Sequence, residues 1–107
     1  MRLLTKSNGA EYLRIMKSIA ETAGYDPDEL TLAKDGIHKL DLSGIKFGNI
    51  QYPDFILFLM NGEIDEAKKH RQNFLTRTAN MKGNWKKDKY SRNNLARRII
   101  WFADEKK

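Results

Sequence analysis

Two turn dipeptides, Asp35-Gly36 and Ser43-Gly44, constrain the fold of this chain more than any other feature of its sequence. Each favours a tight reversal, because glycine adopts positive φ angles at no steric cost and Asp and Ser bond to nearby backbone groups. The dipeptides separate three short runs of strand length: 30–33, 37–42 and 45–47. The sequence therefore predicts a small antiparallel β-meander, although the apolar alternation in the middle run is imperfect.

Before the meander, apolar residues recur at helical spacing: Tyr12, Ile15, Met16, Ile19, Ala20 and Ala23. Asn8 and Glu11 stand three positions apart, as in a capping box, where each side chain satisfies a free backbone N–H at a helix start. Gly24 follows at the place where a glycine commonly ends a helix. These signals predict a helix over 9–23 whose apolar stripe faces the core.

Two segments leave alternatives open. Residues 26–29, Asp-Pro-Asp-Glu, form either a further helical turn or a loop. Residues 55–60 follow Pro53 and Asp54 and are apolar on every side. Six such residues form either a buried strand or a short buried helix, and periodicity does not separate the two.

Helical spacing returns in the second half, where one side of residues 64–79 carries Ile64, Ala67, Arg71, Phe74, Leu75 and Thr78. We expect a helix there, and a polar, basic loop over 80–90 that contains one aromatic anchor, Trp85. Ser91 is a suitable N-cap for a last helix. The apolar face of that helix would consist of Leu95, Ile99 and Phe102, with Trp101 beside it.

These elements predict a single α+β domain over residues 1–107, with an N-terminal helix, a short antiparallel β-meander and a basic helical C-terminal half. Residues 1–63 hold the first helix, the meander and the apolar segment, and 64–107 form the basic helix-loop-helix portion. The chain has no cysteine, no apolar N-terminal signal segment and no apolar run near the roughly 20 residues of a membrane helix. We therefore expect a soluble, intracellular protein that does not enter a membrane.

The net charge of +6 is unevenly distributed. Residues 1–63 contain 7 Lys and Arg against 9 Asp and Glu, whereas residues 64–107 contain 13 against 5. A polyanionic partner would therefore meet the C-terminal half. The alternative is a solvated surface that keeps the protein dispersed.

The sequence offers little for catalysis. His38 and His70 lie in different elements, no cysteine is present to bind zinc, and no Gly-Lys-Ser/Thr phosphate loop occurs. Asp41, Asp54 and Lys46 are the set from which a metal-dependent nuclease site could be built, but their spacing matches no nuclease motif. We expect no enzyme, no metal and no cofactor.

The candidate nucleic-acid-binding residues are basic side chains with interleaved aromatics: Lys68, Lys82, Trp85, Lys86, Lys87, Lys89, Tyr90, Arg92 and Arg97. Lysine and arginine neutralise phosphates, and aromatic faces stack on bases. The loop lysines at 82, 86, 87 and 89 are the main candidates for phosphate contact. Three alternatives stand beside this interpretation: Trp85 as a core anchor, Arg71 paired with a carboxylate such as Asp54, and one of the adjacent Arg97 and Arg98 facing the core.

From Ile45 onward the chain resembles a small family of uncharacterised proteins of large eukaryotic DNA viruses, including the algal chloroviruses. The matching positions are Phe47-Gly48, Tyr52, Asp54-Phe55, Lys69, Arg71, Phe74, Arg77, Trp85, Ser91, Leu95 and Ile99-Ile100-Trp101. The resemblance covers about half of the chain, and the family often has Arg-His where this chain has Arg77-Thr78. It implies a viral origin and a compact α+β fold, and it supplies no activity.

The leading hypothesis is a small basic viral accessory protein that binds DNA or RNA without catalysis, mainly through phosphates. The alternative is a minor virion structural or scaffold protein that contacts viral structural proteins. Exposed apolar residues among Phe55, Phe58 and Leu59 would favour this alternative. In both cases we expect the protein in the cytoplasm or nucleus of the host cell or packaged in the virion.

Overall fold

The computed structural model describes residues 3–80 and 87–102 and has the predicted α+β class. Helix α1 (Gly9–Thr22) and a single 3₁₀ turn (Pro27–Glu29) precede strands β1 (Leu30–Leu32), β2 (His38–Leu42) and β3 (Ile45–Asn49). Helices α2 (Phe55–Met60), α3 (Ile64–Ala79) and α4 (Arg92–Leu95) follow, and α4 continues into a π-helical segment, Ala96–Ile100. None of the described helices is long and apolar enough to cross a membrane.

Helix α1 confirms the predicted helix but not its predicted cap. Its C-terminal end is a glycine-terminated motif: Gly24 has a φ of 97°, and the N–H of Tyr25 donates to the carbonyl of Ala20 at 2.9 Å. At the other end the capping-box prediction is wrong. The Asn8 side chain accepts from the N–H of Thr5 at 2.7 Å, and Glu11 pairs with Arg14 at 2.5 Å. Both side chains are therefore engaged elsewhere.

The predicted meander is present, with strand order β1-β2-β3 and antiparallel pairing throughout. The β2–β3 hairpin closes between Leu42 and Ile45 through Ser43 and Gly44, whose φ angles of 52° and 94° are the positive pair that a two-residue hairpin favours. The imperfect alternation has a physical reason. Ile37 precedes the strand and is 60% exposed, and a charged residue in the middle of β2, Lys39, is buried.

The apolar segment after Pro53 forms a short helix, α2, and not the buried strand that the sequence also allowed. The Asp54 side chain caps it, since Oδ1 accepts from the N–H of Leu57 at 3.0 Å. Phe58 is only 2% exposed and Phe55 is partly buried, whereas Leu59 is 37% exposed. The earlier open segment, 26–29, forms the 3₁₀ turn, capped by the side chain of Asp26.

One core joins α1, the sheet, α2 and the last helix: Tyr12, Met16, Ile19, Ala20, Tyr25, Leu30, Leu40, Leu42, Phe47, Ile56, Leu57, Leu95, Ile99 and Ile100. The π-helical segment is defined by a hydrogen bond in which the N–H of Trp101 donates to the carbonyl of Ala96, five residues earlier in the chain. Consecutive residues Ile99 and Ile100 are both buried in it. The predicted place of Phe102 on the helical face is wrong, because the helix ends before it and its side chain is 43% exposed against Phe55.

Helix α3 has the predicted bounds but buries only part of the predicted side. Ala67 and Thr78 are buried, whereas Ile64 is 54% exposed. The suggested pairing of Arg71 with Asp54 is wrong. The Arg71 guanidinium instead donates to the carbonyls of Trp101 and Phe102, at 2.8 Å each. Arg71 thus ties α3 to the end of the last helix.

Candidate nucleic-acid interface

The sequence-predicted site residues divide into three groups. Lys68 on α3, Lys87, Lys89 and Tyr90 before α4, and Arg92 at its start are exposed. Arg97 is buried, with 6% of its surface exposed. The remaining candidates, Lys82, Trp85 and Lys86, lie outside the described residues.

Arg97 joins the last helix to the C-terminal end of α3. One nitrogen of its guanidinium, Nη1, donates to the carbonyl of Leu75 at 2.8 Å and to Oγ1 of Thr78 at 2.5 Å. A backbone carbonyl and a threonine hydroxyl oxygen both accept hydrogen bonds, and a guanidinium is a suitable donor for both. Arg97 therefore has a structural role, and its buried guanidinium does not belong to the exposed basic surface. Of the adjacent arginines, it is the more buried one, as expected for two residues that diverge on a helix.

Lys89 and Tyr90 pack on the C-terminal end of α1. The Lys89 ammonium donates to the carbonyl of Gly24 and lies 4.9 Å from the ring centroid of Tyr25. Tyr25 in turn donates its hydroxyl to the Lys89 carbonyl at 2.8 Å and meets the Tyr90 ring edge-on, 5.6 Å away. Burial raises the pKa of the Tyr25 hydroxyl. The negative end of the helix dipole and two aromatic rings hold this lysine, which leaves Tyr90, 40% exposed, as the accessible ring.

Within the described ranges, the exposed lysines and arginines of the C-terminal half form no close ion pair with a carboxylate. There, each ion pair between a Lys or Arg and a carboxylate joins two residues of the N-terminal half: Glu11–Arg14, Lys39–Asp54 and Asp41–Lys46. On α3 the corresponding contact is made by a histidine, with 3.3 Å between His70 and Glu66. Exposed lysines and arginines such as Lys68, Lys87 and Arg92 thus retain a field that reaches into solvent.

A groove of about 380 Å³ lies where the ends of β2 and β3 meet the start of α4, lined by Ile37, His38, Phe47, Gly48, Asn49, Arg92, Asn93 and Ala96. Asn93 lines the groove, and its Nδ2 atom is buried without a hydrogen-bond partner among the described residues. Oδ1 of Asn49 accepts from the N–H of Gln51 at 2.8 Å. His38 lies 2.7 Å from Asp35, whose pKa is lowered mainly by the backbone N–H of His38. Arg92 was predicted from the sequence, whereas the groove was not, because its lining residues come together only in the folded chain.

A second polar cluster is inaccessible. Oδ2 of Asp54 accepts from the Tyr12 hydroxyl at 2.6 Å and from the Lys39 ammonium at 3.0 Å, and all three residues are buried. Burial lowers the pKa of Lys39 and raises that of Tyr12 well above its usual value. The cluster joins α1, β2 and the start of α2, and we interpret it as structural.

The carboxylates considered for a nuclease do not converge. Asp54 is fully buried, whereas Asp41 accepts from the N–H of Gly44 and lies 3.5 Å from Lys46. Within residues 3–80 and 87–102, no group of three His, Cys, Asp or Glu side chains could hold a metal ion. The described residues thus do not assemble the carboxylate cluster on which the nuclease interpretation depended.

Comparisons of the chain with protein-family models, curated proteins and solved structures give no match. The resemblance to proteins of large DNA viruses therefore stays a prediction.

Proposed function

We propose that this protein binds nucleic acid without catalysis, chiefly by placing exposed lysines and arginines of its C-terminal half against phosphates. The observation that carries the proposal is that the exposed Lys68, Lys87 and Arg92 of that half have no carboxylate partner among the described residues. Tyr90 adds an accessible ring beside them. Cations of this kind release the counterions condensed on a nucleic acid when they bind it, which favours association. The viral resemblance supports a role as an accessory protein in infection.

The first test is fluorescence anisotropy with labelled single- and double-stranded DNA and RNA over a salt series. Each phosphate neutralised should contribute about −0.9 to the slope of log K against log salt on duplex DNA. We expect Lys68→Gln/Lys87→Gln to lower the affinity at every salt concentration and to reduce the slope by about two. The matched control is Lys6→Gln/Lys34→Gln, which removes the same charge from two exposed lysines of the N-terminal half.

Equal losses in the two double variants would refute the assignment of the surface, because net charge alone would then explain the binding. Absence of binding by the unmodified protein at near-physiological salt would refute the proposal itself. Retained binding with a slope near zero would exclude phosphate contacts as its basis.

The second candidate function is a structural contact in a virion or scaffold. One observation favours it: Leu59, Met60 and Ile64 are 37%, 37% and 54% exposed around the connection between α2 and α3. Protein interfaces centre on apolar anchors, and such side chains are costly to leave in water. Phe58, one of the residues expected to be diagnostic, is instead buried. The same salt series decides between the candidates, since failure to bind any nucleic acid would favour a protein partner.

A further inference from the structure

The groove between the β2–β3 ends and α4 differs from the rest of the basic surface, because it combines one cation with two amides and an apolar wall. We propose that it holds a single unpaired nucleotide, with Arg92 on the phosphate and Asn49 and Asn93 on the edge of the base. This inference rests on the proposed function and deepens it by naming single-stranded nucleic acid as the partner.

Arg92 supplies the phosphate contact. It is exposed at the first position of α4, lines the groove and makes no ion pair within the described residues. A guanidinium binds two phosphate oxygens through two parallel N–H donors. It therefore fixes the orientation of the phosphate in addition to attracting its negative charge. Its position beside the groove would hold the backbone of a strand at the groove's rim.

The two amides supply donors for a base. Nδ2 of Asn93 is buried and has no partner among the described residues, a state that costs about 1–3 kcal/mol, and a rotation of this amide toward the groove would let it donate to a base. Oδ1 of Asn49 is already held by the N–H of Gln51, which fixes the amide and leaves its Nδ2 to donate. Asparagine amides match the edges of nucleobases, whose ring nitrogens and carbonyls accept such bonds.

Apart from His38, the remaining wall of the groove is apolar and suits the face of a base. Ile37 is 60% exposed at the groove, a high value for an isoleucine, and Ala96 lines the side formed by the last helix. A volume of about 380 Å³ falls within the range of small-ligand sites, which begins near 300 Å³. In a duplex the faces of a base are stacked and its pairing edge is occupied, so only an unpaired nucleotide presents both to the groove.

The decisive variant is Ala96→Leu, which fills the groove without changing charge. We expect it to weaken binding of a 15-nucleotide single strand about tenfold, which lies within the range for loss of one base contact. Binding of a 15-base-pair duplex should weaken less than about twofold. Lys68→Gln, on α3 and outside the groove, is the control and should weaken both ligands to a similar extent. Circular dichroism of Ala96→Leu checks that the fold is retained.

An unchanged affinity of Ala96→Leu for the single strand would overturn the groove assignment while leaving the phosphate surface intact. A second measurement separates this inference from the proposed function. In ¹H–¹⁵N spectra, millimolar mononucleotides should shift the side-chain amide signals of Asn49 and Asn93 in the unmodified protein, and these shifts should be lost in Ala96→Leu. Equal shifts with inorganic phosphate, or none with any mononucleotide, would refute a base-binding groove even if long nucleic acids bind.

Discussion

Replacing Lys39 by methionine tests the buried cluster that joins α1, β2 and α2. Lys39 and Asp54 are 2% and 1% exposed, and Oδ2 of Asp54 accepts from Lys39 at 3.0 Å and from Tyr12 at 2.6 Å. Methionine preserves most of the side-chain volume but removes the cation, so the carboxylate would keep one neutral donor at that oxygen. An uncompensated buried charge costs far more than the loss of an average hydrogen bond.

The expected loss of unfolding free energy in Lys39→Met is about 3–5 kcal/mol, the range for breaking one side of a buried ion pair. A chain of this size has a total stability on the order of 5–15 kcal/mol, so the variant should retain a fold with little margin. Thermal unfolding followed by circular dichroism should show a drop in Tm of roughly 12–24 °C for a loss of about 3 kcal/mol.

The double variant Lys39→Met/Asp54→Asn makes this test specific to the charge. Asparagine keeps an oxygen to cap α2 at Leu57 and removes the negative charge, so the double variant should be more stable than Lys39→Met by at least about 1 kcal/mol. The reasoning is refuted if Lys39→Met costs less than about 1 kcal/mol. It also fails if the cost of the double variant equals the sum of the two single costs, because independent sites would behave in that way.

Alkaline unfolding and the substitution of glycines with positive φ angles test two further features of the fold. Tyr12 has a raised pKa, so its contribution to stability is complete below about pH 10, where the unfolded tyrosine ionises, and is lost as pH rises through the folded value. Alkaline unfolding should therefore be less steep in Tyr12→Phe, whereas the control Tyr52→Phe, at a residue that is 63% exposed, should follow the unmodified protein. Gly48→Ala should cost about 2 kcal/mol in urea unfolding, because φ is 80° and a Cβ would lie 3.0 Å from Cδ1 of Ile100. Gly36→Ala, with a φ of 74° and no atom within 4 Å of its Cβ, should cost about half as much, and equal costs would contradict the steric argument.

Elements with local signals were predictable from the sequence. Helix α1 carries its own apolar spacing and terminal glycine, and the hairpin at Ser43-Gly44 depends on two residues that adopt positive φ angles. Helix α2 was ambiguous because six apolar residues fit either structure. The segment is a helix because the Asp54 side chain caps it and because it is buried against the rest of the chain. The spacing of its apolar residues indicates neither of these.

The missed features all depend on register or on distant packing. Lys39 is 15 positions from Asp54, and no sequence pattern states that a lysine in a half-buried strand turns toward that carboxylate. The groove requires the ends of β2 and β3 to meet Asn93 and its neighbours in the last helix, more than 40 positions away. The π-helical segment Ala96–Ile100, which packs Ile99 and Ile100 into the core, has no local signal in the sequence.

The lysines and arginines that join elements of the fold differ in what they are bonded to, and this difference explains how the basic half can fold while its positive charge is retained. In the N-terminal half Lys39 is bonded to a carboxylate, so the pair contributes no net charge. Arg71 and Lys89 instead donate to backbone carbonyls, of Trp101, Phe102 and Gly24. A carbonyl satisfies the donor but does not cancel the charge, so the cations that hold α3, the last helix and α1 together still add to the external potential. The same residues therefore contribute both to stability and to the positive potential around the protein. Under the proposed function, contacts with nucleic acid would be made by the more exposed Lys68, Lys87 and Arg92.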